Sequence, residues 1–187
     1  MGSGAILLLV IAGIGAYLVA IYNKFISLRA GMDASWSDID IQLKRRYDLI
    51  PALVDTVKGY KEYEADTLEK VIQARQQGVN ASSMDEKAAA ANVLSGALGK
   101  LFALAEAYPD LKANTNFLKL QDELSSLEDA IQNARRYYNA IVRDYNTKVD
   151  SFPDLIVAQK FNFTTRPYFE LDENEAEAAN KMPKINF

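Results

Sequence analysis

The stretch AILLLVIAGIGAYLVAIY, Ala5 to Tyr22, is 18 residues long without a polar or charged interruption, and no charged side chain precedes Lys24. As a helix it spans about 27 Å at the standard rise, close to the thickness of a bilayer's hydrocarbon core. A helix buried in a water-soluble core would show a polar stripe over that length. The run therefore reads as a membrane span, with a polar domain behind it. A cleaved leader fits less well. Met1-Gly2-Ser3-Gly4 lacks Lys or Arg, the run exceeds an ordinary leader core, and Leu18-Val19-Ala20 is a poor cleavage site. Lys24, Arg29, Lys44, Arg45 and Arg46 all follow the span. The bias of positive charge predicts a short N-terminus outside and a cytoplasmic domain.

The apolar pattern continues past the span. Ile21, Phe25, Leu28, Met32, Trp36, Ile39, Leu43, Tyr47, Ile50, Val54 and Val57 recur at steps of three and four, one stripe along a long helix. Pro51 lies inside the stripe and removes one backbone donor, so a kink or split is expected there, with a second break near Gly59. Gly78, Asn80 and Ser82-Ser83 read as a loop, and Ser83 with Glu86 as a capping box opening a second helix. That helix carries Ala90, Leu94, Ala97, Leu101, Leu104 and Tyr108 and stops at Pro109. Phe117, Leu120, Leu124, Leu127, Ile131, Ala134, Tyr138, Ile141 and Tyr145 form the most regular stripe.

The predicted fold is all-α: a transmembrane anchor over 1–23 running into an elongated antiparallel helical bundle over 24–187. Within it, 152–187 is an irregular aromatic tail packed on the bundle. Phe161, Phe163, Pro167-Tyr168-Phe169 and Pro183-Lys-Ile-Asn-Phe187 are its anchors, around an acidic patch from Glu170 to Glu177.

The chain has no His and no Cys, which removes the commonest general base and the commonest soft metal ligands. There is no glycine-rich phosphate loop, and no nucleophile–base pair can be drawn. A net charge of −4 with mixed signs argues against a nucleic-acid partner. Asp33, Asp38 and Asp40 could hold a divalent cation but fit a solvated face, as do Glu123 and Asp129. No cofactor or metal is expected, and enzymatic activity is not.

Two segments stand out, Arg45-Arg46-Tyr47-Asp48 and Arg135-Arg136-Tyr137-Tyr138-Asn139. Each reads either as an anion or lipid-headgroup contact, since Arg binds phosphate bidentately, or as a network fixing how the helices fit together, with Asp48 and Asp110 as the acids. The structural network is preferred. The span includes Ala5, Leu8 and Tyr22, and its small residues Ala12, Gly13, Ala16 and Ala20 would let two helices approach closely, an indication of a homo-oligomer.

Longer motifs carry a resemblance. Trp36-Ser-Asp-Ile39, Gln42-Leu-Lys-Arg-Arg-Tyr-Asp-Leu-Ile-Pro51, Val57-Lys-Gly59, Ala107-Tyr-Pro-Asp-Leu-Lys-Ala-Asn114, Ala134-Arg-Arg-Tyr137, Tyr145-Asn146, Phe152-Pro153 and Arg166-Pro-Tyr-Phe-Glu170 closely resemble the LemA family of bacterial membrane proteins over nearly the whole chain. The resemblance implies an N-terminal span at the bacterial inner membrane and a helical domain. It supplies no catalytic residues. It implies an association with envelope stress and with a membrane zinc metalloprotease as a partner. Two functions follow as expectations: a self-associating membrane scaffold, or an adaptor of such a protease.

Overall fold

The computed structural model describes residues 2–59 and 65–169, and within these the only regular structure is helix. The helices are α1 (Ser3–Lys58), α2 (Ala65–Asn80), α3 (Met84–Ala105), α4 (Pro109–Lys112), α5 (Thr115–Asp150) and α6 (Asp154–Lys160). The all-α expectation holds. The acidic patch Glu170 to Glu177 and the anchor Pro183 to Phe187 lie outside the described residues. The chain divides into two compact units, one formed by Met1–Asp38 with Ala134–Tyr168, the other built on Ile39–Asn133.

In the first unit α1 and α5 run antiparallel. Trp36 meets Tyr138 edge-on at 6.2 Å between ring centroids, and Phe25 meets Tyr145 at 5.7 Å. Between them Ile141 lies over Gly31. Rising numbers on α5 thus match falling numbers on α1. The tail then returns over this pair. Asn162 takes the left-handed conformation (φ 55°), which Asn tolerates better than most residues. The Phe163 amide donates back to the Ala158 carbonyl at 2.9 Å, a Schellman-type close of α6. The turn stacks Phe163 on Phe25 at 4.7 Å, and the Arg29 guanidinium lies 5.9 Å from the same ring. Further along, Asn146 clamps the tail with both ends of its amide. Nδ2 donates to the Arg166 carbonyl (2.9 Å), and Oδ1 accepts from the Arg166 amide (2.8 Å). Burial raises the Tyr145 phenol pKa, opposed by Arg29 and Arg166.

In the second unit α2 and α3 form a hairpin. Glu86 accepts from the Ser82 and Ser83 amides, and Ser83 Oγ accepts from the Glu86 amide, so the expected capping box is present. These donors hold the Glu86 carboxyl below the usual carboxylate range. Its contribution is present above that range and fades as pH falls through the lowered value. The Ala107–Asn114 motif also resolves into local chemistry. Pro109 opens the one-turn α4, and Asn114 caps α5 by accepting from the Asn116 and Phe117 amides at 2.9 and 3.0 Å.

The helical pattern runs through Pro51 without a split, and α1 ends at Lys58, beside the break expected near Gly59. Gly78, expected in a loop, is helical instead, since α2 extends to Asn80. Gly78 is buried because the Tyr47 ring occupies the place where a side chain would stand, and a Cβ there would fall well inside van der Waals contact with that ring. Gly78→Ala is therefore expected to lose about 1–3 kcal/mol from overpacking, although alanine at an open helical site would gain about 1 kcal/mol. Urea unfolding of the full chain in detergent, followed by circular dichroism, measures it. A gain in stability would refute the packing argument.

Candidate functional site

Two features have no ordinary place in a water-soluble bundle. The first is the N-terminal part of α1. Ala5, Leu8, Ala12, Gly13, Ala16 and Ala20 are all exposed, with Leu8 at 69%, and burial starts only at Ile21. A Cβ on Gly13 or Gly15 would meet nothing within 4 Å. Tyr22, half-buried, ends this sleeve and packs its ring against Phe161 at 4.8 Å and Phe163 at 5.7 Å. α3 is also long and apolar enough to cross a membrane, but 39% of its most apolar window is buried, against 6% for α1. It also opens with Asp85, Glu86 and Lys87 and turns Leu94, Leu98 and Leu101 inward, so it is a core helix.

The second feature is a buried cation, Arg46. Its side chain is 3% exposed and reaches two other helices: Nη1 lies 2.8 Å from Glu128 Oε2 on α5, and Nη2 donates to Ser95 Oγ on α3 at 2.9 Å. Ser95 Oγ also lies 3.1 Å from the Ala91 carbonyl, as a hydroxyl bonding back along its own helix does. Burial lowers the Arg46 pKa, and Glu128 opposes that shift. An open cleft of about 290 Å³ adjoins the pair, walled by Leu98, Phe102, Gln121 and Leu124 among others.

The arginine segments are thereby each divided. Arg46 and Tyr47 are buried while Arg45 and Asp48 are exposed; Arg135 and Tyr138 are buried, Asn139 is half-buried and Arg136 is exposed. Adjacent residues on a helix point about 100° apart, so one of each Arg-Arg pair must face outward. Arg46 and Arg135 belong to different units. The expectation that Asp48 and Asp110 supply the acids needs correction. Both are exposed, Asp110 in the short α4, and the carboxylate on Arg46 comes from Glu128. Asp40, once a candidate cation ligand, is paired with Lys87.

Arg75, Ser95 and Glu128 were not singled out from the sequence, and Asn146 entered only as part of the Tyr145-Asn146 motif. For Arg75 a signal existed. Pro51 has no N–H, so the carbonyl four residues back, that of Tyr47, loses its helical donor. Arg75 Nε on α2 donates to that oxygen at 2.8 Å.

An apolar sleeve of this length has no stable place in water, which defines a membrane-associated, all-α protein. The sequence pattern of the LemA family matches residues 35–187, and the chain belongs to that family. Protein LemA of Metamycoplasma hominis is 35% identical over 136 residues, covering 71% of this chain and 61% of its own. Magnetosome protein MamQ 2 of Paramagnetospirillum magneticum is 24% identical over 181 residues, 83% of this chain and 66% of its own. Magnetosome protein MamQ of Magnetospirillum gryphiswaldense is 23% identical over 174 residues, 79% of this chain and 64% of its own. The chain thus spans less than two thirds of the length of these relatives.

Proposed function

We propose that this protein is a membrane-anchored, non-enzymatic scaffold that self-associates at the bacterial inner membrane, with its short N-terminus outside and its helical domain in the cytoplasm. The observation that carries the reading is the exposed apolar sleeve of α1, continuous in one helix with a segment that packs into a polar bundle. Residues 5–22 enter the bilayer as the anchor. Ala12, Ala16 and Ala20 recur every four residues along the sleeve with Gly13 beside them, and such small residues permit close helix contact in lipid. Lys24 and Arg29 after the span favour the cytoplasmic side for the domain. Arg46 with Glu128 serves the bundle as an internal tie between helices.

The mass of the full chain extracted in mild detergent, by light scattering and then single-particle imaging, tests this. A large symmetric particle, reduced in size by Gly13→Leu with Ala16→Leu, is the expected result. A monodisperse monomer would end the scaffold reading. It would redirect the search to a hetero-partner, such as the membrane metalloprotease implied by family resemblance, by crosslinking in native membranes.

A further inference from the structure

We propose that the Phe152–Phe161 segment is a second membrane contact, seated in the lipid–water interface beside the point where α1 leaves the bilayer. The proposal rests on the reading of Ala5–Tyr22 as a span.

The antiparallel pairing within the first unit fixes the height of this segment. Trp36 lies against Tyr138, Gly31 against Ile141 and Phe25 against Tyr145. Continued by one turn, this pairing brings Val149, at the end of α5, level with Ile21, where the sleeve ends. Both are buried. α6 follows directly, and its far end is fixed independently by the contact of Phe161 with Tyr22 at 4.8 Å. Both ends of the segment thus stand at the level of the last residue of the span.

What the segment exposes there is apolar. Phe152 is 80% exposed, Ile156 55% and Phe161 54%, while Val157 and Ala158 occupy the inward face of α6. Among the described residues Phe152 is the most exposed large apolar side chain, and Ile156 and Phe161 follow it within the same short segment, so the three make a concentrated apolar surface rather than one exposed residue. The occupant follows from continuity: the exposed apolar surface of α1 reaches Leu18 and Val19, within one turn of Tyr22, whose ring meets Phe161. A surface covered by acyl chains up to Tyr22 leads directly to the headgroup level, where aromatic rings are favoured. The local charges suit that place. Asp154 is paired with Lys148 at 3.5 Å, and Lys24 and Lys160 are exposed, with stems long enough to reach headgroup phosphates.

Because the chain has no cysteine, a single introduced thiol is the sole labelling site. Phe152→Cys and Ile156→Cys, each spin-labelled in the full chain and reconstituted into phosphatidylcholine–phosphatidylglycerol vesicles, report accessibility to oxygen and to a water-soluble nickel chelate. Leu8→Cys and Tyr137→Cys are the controls, Tyr137 being exposed beside the Trp36–Tyr138 contact. The oxygen-to-nickel ratio at 152 and 156 is expected to exceed that at 137 several-fold and to fall below that at 8. A ratio at 152 and 156 equal to that at 137, with 8 still lipid-exposed, overturns the interfacial seat and leaves the span standing. Protection of 152 and 156 from both agents means that protein covers them and also overturns it. A water-like ratio at 8 overturns the span, and the seat with it.

Discussion

Glu128→Ala is expected to destabilise the bundle by about 3 kcal/mol, whereas Arg46→Met, which removes the other partner, should cost less than about 1 kcal/mol. The asymmetry follows from where each charge sits. Arg46 is 3% exposed and Glu128 29%. A guanidinium cannot shed its proton to escape burial, so removing Glu128 leaves a full positive charge beside the Ser95 hydroxyl with its carboxylate partner gone. Removing Arg46 instead leaves a carboxylate that water already reaches, while the methionine stem keeps most of the buried volume. Breaking a fully buried pair costs about 3–5 kcal/mol, and the partial hydration of Glu128 places this one at the lower end. Urea unfolding of the full chain in detergent, read by circular dichroism and by the single tryptophan, Trp36, compares the variants. Equal losses from the two substitutions would refute the account.

Arg75→Met should lose about 2 kcal/mol in the natural chain, and little of that loss should remain when Pro51 is replaced by alanine. The Arg75 guanidinium supplies the donor that Pro51 cannot, at 2.8 Å from the Tyr47 carbonyl. Without it the partly buried Tyr47 carbonyl loses that donor, a loss that costs about 1–3 kcal/mol for a buried acceptor. Pro51→Ala restores the helical N–H, so Tyr47 no longer depends on α2. A double-mutant cycle by urea unfolding isolates this dependence as a coupling of about 1–2 kcal/mol. If Arg75→Met costs the same in the Pro51→Ala background as in the natural chain, Arg75 acts by packing or charge alone.

Much of the architecture was legible because it is periodic. The stripe from Ile21 to Val57 is buried at nearly every step, that from Phe117 to Tyr145 is buried except at the half-buried Leu120, Ala134 and Ile141, and the Ser83–Glu86 signature is a capping box. Gly78 misled, and Pro51 was legible only in part, for a shared reason. Each is a local signal of a break, and each is answered by a residue far along the chain: Arg75 supplies the missing donor to Tyr47, and the Tyr47 ring fills the space above Gly78. Local rules describe the vacancy and not its occupant. The candidate site was half legible in the same way. Arg46 continues an inward stripe and Arg45 does not, so the buried member of the pair could be read from spacing. Its acid could not, because Glu128 is one of several carboxylates on α5 and only packing selects it. The Phe161–Phe163 anchors were visible as aromatic residues; the two-ended grip of Asn146 on Arg166 was not, since it depends on the fold of the tail.

The Pro51 gap also bears on which alternative packings the chain can adopt. Two helices that meet through apolar ridges can slip past one another by one turn, about 5.4 Å, at modest cost, because leucines and valines accept many neighbours. A hydrogen-bond acceptor left open in the interior of a helix is different in kind, since every nearby carbonyl is already occupied by an amide one turn on. On α1 the proline marks Tyr47 as the address for Arg75. A slipped α2 would strand both the carbonyl and the guanidinium, and would drive the Tyr47 ring into a side chain where Gly78 now makes room. The proline thus penalises wrong dockings more than it strengthens the right one.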